Sequence, residues 1–257
     1  MQICPMDKNN MKRIICYPLK PAGDSPVGWG DNLELKYSLR SLEEHWKGQY
    51  DEVVILTDRL PPWADRSKLK FIMAPRYVSA LKKAVAYAGA GGDIVWMNDD
   101  IMFLKDTTWG DLVNPCHRMG KMTLAQAEKM SGDEDNAWKR RLGDIMISLH
   151  KKGLPMWKFS THTPYWYEAD KLAPLLEEYG GLGYKVAIEN AYFNTYLEEL
   201  GGGKIFGDKF RAERRRMRIP LDRVDHYRYL NLTDHGLGPW MRGFIVGRFH
   251  KKSEFEV

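Results

Sequence analysis

Long apolar runs are missing from this 257-residue chain, and cysteine is scarce. No stretch reaches the roughly 18 uninterrupted apolar residues that a membrane-spanning helix needs. The N-terminus also lacks an apolar segment followed by a small-residue cleavage site. The expectation is a cytoplasmic protein with no membrane span. Cys4, Cys16 and Cys116 are odd in number, far apart and in no metal-ligand spacing, which argues against both a disulfide framework and a cysteine zinc site. Internal repeats and low-complexity linkers are absent too, so no sharp domain boundary is indicated and a single domain over residues 1–257 is expected.

What is present has an ordinary globular balance, with 44% hydrophobic and 28% charged residues. The chain is long enough to bury a sizeable core. Its net charge of +5 is modest but unevenly placed: RAERRRMR at 211–218 sets Arg211, Arg214, Arg215, Arg216 and Arg218 against Glu213. Such a block suits an anionic partner, whether a diphosphate, a polyanionic glycan or nucleic acid, and it equally suits a solvated helix face.

The first hundred residues alternate between two periodicities. KRIICYPL (12–19), DEVVILTD (51–58), KLKFIMAP (68–75) and DIVWMN (93–98) read as strands, the β-branched runs among them being of the kind covered on both faces. Between them, DNLELKYSLRSLEEHW (31–46) repeats Leu35, Leu39, Leu42 and Trp46 at helical spacing, with Asp31 able to cap and Glu34 at the reciprocal capping-box position. SALKKAVAYAGA is a second helix. This alternation predicts a doubly wound, mostly parallel α/β sheet with helices on both faces, and ligands beyond the carboxyl ends of its strands. Further on, DEDNAWKRRLGDIMISLHKKG (133–153), EADKLAPLLEEYG and ENAYFNTYLEELGGG read as helices stopped by glycine. The tail from Leu230 mixes loop signals with one apolar segment, GFIVGRFH.

The strand DIVWMN ends in Asn98-Asp99-Asp100, with Ile101 to Leu104 directly behind. Two adjacent like charges repel, and one is driven toward protonation unless a cation or several donors neutralise the pair. Hard oxygen ligands suit magnesium or manganese, with substrate phosphates and water completing the shell. The other reading is that Asp99 or Asp100 caps the next turn or pairs with Lys105.

The element order and the strand-terminal Asn98-Asp99-Asp100 resemble a glycosyltransferase of the GT-A type. That resemblance implies a GT-A-like fold with Mg or Mn held by Asn98 and Asp100 together with Asp99. It also implies a nucleotide-sugar donor, a UDP-sugar first. Residues 11–110 then form the nucleotide-binding half and 111–257 the acceptor-binding half and tail. More locally, DNLELKYSLRSLEEHW, VVILTDRLPPW and MNDDIMFL resemble the second conserved region of the Stealth family of capsular polysaccharide and N-acetylglucosamine phosphotransferases, and THTPYWYEADKL is similar to its histidine-and-proline segment. This local resemblance covers residues 31–170 with gaps, and RIICYPLKPAGD stands where that family has its opening signature.

Several residues follow as candidates, each with a plainer reading beside it. Asp31 matches the aspartate that opens the Stealth segment and sits equally well as an N-cap, worth about 1 kcal/mol. Arg40 matches that family's arginine and can meet a phosphate bidentately, or it can pair with Glu43 or Glu44. Asp58 is placed for a nucleotide base or ribose, or caps the turn before Pro61-Pro62; Lys20 and the loop after it stand at the nucleotide end. His162 titrates near neutrality and suits acid or base work, or is structural. The aromatics of PYWY (164–167) suit sugar faces or bases, or simply the core. Glu189 opens a helix, as a catalytic carboxylate does in GT-A enzymes, or only offsets the helix dipole. His235 and His250 come late, where GT-A enzymes return a histidine to the metal; His250, in GRFHKK, is preferred, the alternative being an exposed tail. The expected acceptor is a hydroxyl on a glycan or on nucleic acid, such as a hydroxylated DNA base. Transfer of a sugar phosphate and non-catalytic nucleic-acid binding are the rival readings.

Overall fold

A computed structural model describes residues 11–19, 29–74, 77–113, 117–182, 187–200, 204–205, 207–212, 221–233 and 236–257. In chain order these form β1 (Arg13–Pro18), α1 (Leu33–His45), β2 (Glu52–Thr57), β3 (Lys70–Met73), α2 (Tyr77–Ala88), β4 (Asp93–Trp96), β5 (Ile101–Phe103), α3 (Trp109–Val113), β6 (His117–Arg118), α4 (Leu124–Ser131), α5 (Ala137–Lys151), β7 (Tyr165–Glu168), α6 (Ala169–Tyr179), α7 (Ile188–Thr195), β8 (Lys204–Ile205), β9 (Lys209–Ala212), α8 (Leu221–Val224), β10 (Tyr229–Leu232) and α9 (Pro239–Arg248).

A central five-stranded sheet runs β3-β2-β1-β4-β7. Its first four strands are parallel, and β7 is antiparallel to β4. The mixed α/β class and mostly parallel sheet expected of the alternating pattern are therefore present. Ile14, Ile15, Cys16 and Tyr17 of β1 are fully buried, as a central strand covered on both faces requires. From β1 the chain crosses to β2 on one side; from β3 it crosses back to β4 on the other. Right-handed crossovers in opposite directions put α1 and α2 on opposite faces. Side-chain contacts agree: Ser38 of α1 donates to the Tyr17 hydroxyl at 3.2 Å, whereas Trp96, beside Cys16, meets Tyr77 of α2 edge-on at 5.5 Å. The strand order reverses between β1 and β4, which opens a crevice at their carboxyl ends.

A second, three-stranded sheet, β5-β10-β9, continues directly from that crevice. Here β10 runs antiparallel to β5 and parallel to β9. Met102, Leu104, Leu230, Leu232 and Ile245 form its own core beneath α9. Of the greasy run IMFL behind the carboxylate pair, Ile101–Phe103 is thus a strand of a different sheet, and GFIVGRFH is helical, in α9, as far as Arg248. PYWY overlaps an edge strand, β7, and ENAYFNTYLEELGGG keeps helical form only to Thr195. The short helix α4 escaped the periodic reading although Thr123 and Gln126 form a reciprocal capping box at its start.

Capping of α1 departs from expectation. Asp31 lies in a 3-10 turn over Gly30–Asn32 with φ 59°, Asn32 takes the cap position with φ 53°, and neither side chain caps the helix. Two successive left-handed residues rotate the chain out of the capping geometry, and Glu34 accepts instead from the Trp29 N–H at 2.5 Å. At the other end of the chain, Glu256 is clamped onto α1. Arg40 donates to its two carboxylate oxygens at 2.7 and 2.8 Å, and Lys36 stands 2.9 Å away. Ser253 contributes both its N–H and its hydroxyl. Desolvation pushes the Glu256 carboxyl up, but these donors outweigh it and hold the group down at about 2. Its contribution to stability is therefore present above 4.5, its ordinary value, and is lost as pH falls toward 2. Glu256→Gln is expected to cost about 3 kcal/mol at neutral pH, because it strands the Arg40 guanidinium in a half-buried pocket. Urea titrations at pH 7 and at acid pH check this: the deficit should shrink on the acid side, and an unchanged midpoint at pH 7 would remove the clamp from the list of stabilising contacts.

Candidate active site

The carboxylate pair stands where the two sheets meet. After β4 the chain turns through Asn98, Asp99 and Asp100, the Asn98 carbonyl accepting from Ile101 N at 3.2 Å. The Asp100 carbonyl then accepts from Leu232 N at 2.9 Å, which ties the turn to β10. Asn98, Asp99 and Asp100 are all half-buried. Oδ1 of Asp100 is fully buried and meets no hydrogen-bond donor among the described residues. Desolvation first, and then the charge of Asp99, push the Asp100 carboxyl up to about 7; Asn231 and the Lys209 cation pull the other way without prevailing.

The facing wall comes from β9, β7 and α7. Along β9, Phe210 and Ala212 are buried while Lys209 and Arg211 alternate onto the other side. Lys209 donates to the Thr161 carbonyl, and its charge is felt at Asp100. Because β7 is antiparallel to β4, with Tyr165 opposite Trp96, the segment before Tyr165 arrives at the same edge as Asn98. That segment carries Ser160, Thr161 and His162. Ser160 donates to Glu189 at 2.5 Å, and Asn190 donates to Glu189 at 3.0 Å. Glu189 is buried, and desolvation raises its carboxyl against the pull of these two donors. His162 keeps an open face to solvent with φ 50°, and its N–H donates to the Tyr165 hydroxyl at 3.0 Å. Crowding by the protein first, and then the Lys209 and Arg211 cations, push its imidazole down to about 4.

Lys209 thus links Asp100 to the 160–162 segment, and that segment links to Glu189 through Ser160. Asp100 and His162 both feel the Lys209 charge, and Glu189 adjoins the His162 segment through Ser160. Sequence reasoning missed Lys209, although the polar-apolar alternation of KFRA just before the arginine block is the signal that would have placed it. It also missed Ser160 and Asn231, for which the sequence holds no signal.

Other candidates are placed elsewhere. Arg40 is committed to Glu256 and to the Phe249 carbonyl at 2.9 Å, so neither the phosphate nor the Glu43 or Glu44 pairing describes it. His250 is exposed after α9, its Nδ1 3.1 Å from the Gly247 carbonyl. It does not join Asp99 and Asp100: among the described residues no three His, Cys, Asp or Glu side chains cluster closely enough to hold a metal. The physical reason lies in α9, whose last turn reaches the opposite end of β5, where Arg248 donates to the Leu104 carbonyl at 3.4 Å. Tyr165, Trp166 and Tyr167 are core residues, Tyr167 meeting Tyr192 and Phe193 at 4.8 and 5.8 Å, so they do not offer sugar-stacking faces. Asp31 is exposed, and its carbonyl accepts from Trp63 Nε1 at 2.7 Å. Asp58 is exposed at the carboxyl end of β2, with the Thr57 hydroxyl 3.4 Å from its Oδ1. Lys20, His235, Arg214, Arg215, Arg216 and Arg218 lie outside the described residues.

By chemistry the residue types present, two adjacent carboxylates and an asparagine, are hard oxygen ligands of the kind a divalent cation takes, and one buried Asp100 oxygen has no donor among the described residues. The molecule is therefore an α/β protein with an acidic edge at the switch point of a doubly wound, mostly parallel sheet. No protein-family model matches the chain, and no curated protein matches it. Solved structures do. An active-site mutant of LgtC is 12% identical, covering 94% of this chain and 98% of that chain with a TM-score of 0.45. Galactosyltransferase LgtC in complex with donor and acceptor sugar analogs is 11% identical, covering 93% and 96% with a TM-score of 0.45. A likeness of that size says nothing about what this chain binds.

A raised carboxyl makes the fold less stable as it ionises. The contribution of Asp100 is fully present below 3.8, its ordinary value, and is lost as pH rises through about 7. Asp100→Asn without metal is expected to be more stable than the native chain at pH 8, by on the order of 1–3 kcal/mol, and no more stable near pH 4. Added manganese should raise the melting temperature of the native chain at pH 8 and leave that of the variant unmoved. Denaturant and thermal melts measure both, and equal stability of the two chains at pH 8 would contradict the account of the Asp100 environment.

Proposed function

We propose that this protein is a metal-dependent glycosyltransferase that moves a sugar from a nucleotide sugar to a hydroxyl acceptor. The single observation that carries the reading is the buried, donorless oxygen of Asp100, paired with Asp99 at the crevice between β1 and β4. Asn231 and the backbone N–H of Asp100 itself serve this carboxyl without restoring its ordinary range, and Oδ1 is the oxygen left for a cation. In this reading Asn98, Asp99 and Asp100 hold Mg or Mn together with the donor diphosphate. When bound, the cation supplies charge stabilisation at the departing phosphate.

The protein's own groups do the rest. Lys209 and Arg211 line the side of the crevice facing the pair and counter the remaining phosphate charge. Asp58, at the carboxyl end of the neighbouring β2, and the loop after Lys20 take the nucleotide, for which a UDP moiety is the first choice. The bond between the sugar's anomeric carbon and the diphosphate oxygen breaks, and a bond from that carbon to the acceptor oxygen forms. The acceptor's proton needs a base. Glu189 is the group whose raised pKa suits that task, with Ser160 standing between it and the open site as the relay. His162, neutral over the physiological range, serves as a hydrogen-bonding group rather than an acid. A glycan hydroxyl is the acceptor we propose; nothing in the described site favours nucleic acid. Sugar-phosphate transfer is the weaker reading, because Arg40, which that chemistry would send to a phosphate, is held by Glu256.

As a further ligand beside Asn98, Asp99 and Asp100 we propose His235, which lies outside the described residues, in place of the exposed His250. The deciding assay is release of nucleoside diphosphate from a panel of nucleotide sugars with and without Mn. Activity is expected with Mn, a drop of at least 100-fold in Asp100→Ala, a drop of more than 10-fold in His235→Ala, and near-native turnover in His250→Ala. Release of nucleoside monophosphate would shift the assignment to sugar-phosphate transfer. Metal-independent turnover that survives Asp100→Ala would end the proposal.

A further inference from the structure

The outward face of α9 takes no part in the chemistry above. Pro239, Gly243, Val246 and Gly247 are exposed, Trp240 and Phe244 are half-buried beside them, and Met241 and Ile245 turn inward to the second core. At 3.6 residues per turn those six outward positions span roughly 160° of the helix, and none is charged. Val246 is 43% exposed, and the Trp240 and Phe244 rings stack at 6.1 Å with an interplanar angle of 8°. A Cβ added at Gly243 or Gly247 would meet nothing within 4 Å. Mid-helix glycine costs about 1 kcal/mol relative to alanine, and among the described residues no close approach explains either one.

Cations border this bare apolar strip. Half-buried Arg242 lies over the Trp29 ring at 5.5 Å on one flank, half-buried Arg248 on the other is turned to the Leu104 carbonyl, and Lys251 and Lys252 are exposed just past the helix end. From Gly236 to Ser253 there is no Asp or Glu. Bringing two copies together through this face would bring those cations together, so charge opposes self-pairing and favours an anionic surface. Val246 stands open on this face, with the half-buried Trp240 and Phe244 packed beside it on the second core and exposed Lys251 and Lys252 past the helix end, and this arrangement matches a helix lying in the plane of a lipid–water boundary. The lysines would meet lipid phosphates. Bare backbone at Gly243 and Gly247 lets the helix axis come closer to that boundary than side chains would allow.

We propose that α9 docks the protein, lying flat, on a membrane surface that carries anionic lipid headgroups. This goes beyond the transferase reading and does not depend on it. The full chain is sedimented with phosphatidylcholine vesicles containing roughly 40 mol% phosphatidylglycerol and, separately, with pure phosphatidylcholine vesicles, at low and high salt. Binding to the anionic vesicles is expected to be at least 10-fold tighter and to fall at high salt. Gly243→Glu and Val246→Glu put charge on open positions where the fold has room. Each should weaken vesicle binding 10-fold or more with the melting temperature kept, and Lys251→Gln with Lys252→Gln should weaken it several-fold. Equal binding to both vesicle types, or native binding by the glutamate variants, would overturn the proposal. So would a concentration-dependent dimer lost in those variants without vesicle binding, which gives the face to a second copy. Retention on polyglutamate in the absence of vesicle binding would give it to an acidic protein and overturn the proposal as well.

Discussion

Two like charges held at the lip of a sheet are the constraint from which the arrangement follows. Asp99 and Asp100 are neighbours in a turn whose backbone is fixed from both sides, by β4 before it and by the bond between Leu232 and the Asp100 carbonyl after it. Neither charge can move away from the other, and burial of one oxygen makes ionisation of Asp100 costly. Lys209 answers part of that cost from across the crevice, but its Nζ also serves the Thr161 carbonyl. Among the described residues the donors do not bring the Asp100 carboxyl back to its ordinary range, which is the observation on which the proposed cation rests.

The second sheet makes this possible. A doubly wound sheet alone leaves its carboxyl edge open to water, where an aspartate pair would be solvated and unremarkable. Folding IMFL into a separate strand beside β10 closes the far side of the turn and brings Asn231 to Asp100. The parallel partner β9 then lines up Lys209 and Arg211 along one side. At the antiparallel edge, β7 reverses the chain so that Ser160 to His162 face the same crevice from the other side. Stability far from the site rests on the tail: Glu256 binds α1 through Arg40 and Lys36.

Much of the scaffold was legible before any coordinates. Continuous β-branched runs and leucines at helical spacing predict β1, α1, β2 and the order of alternation, because burial on both faces or on one stripe demands those patterns. The aspartate pair was legible as a chemical anomaly at a strand end. Boundaries were less so: Asp31 and Glu34 fit a capping box on paper, yet two left-handed residues send the Glu34 carboxylate to Trp29. Arg40 shows a different limit. Its pairing preference was readable, but its partner lies 216 residues away and no local pattern names it.

Sequence by itself thus determined most of the strands and helices of the first hundred residues, that the central sheet is mostly parallel, and that acidic groups stand at its carboxyl edge. Each of these depends on periodicities and neighbours within a few residues. Tertiary structure alone decided that Lys209 and Asn231 act on Asp100, that Ser160 meets Glu189, and that His250 follows a helix ending at the far end of β5. It also decided that the aromatics of PYWY are core. These follow from strand order, from the antiparallel entry of β7 and from where α9 ends, and long-range pairings of that kind leave no periodic trace in the chain.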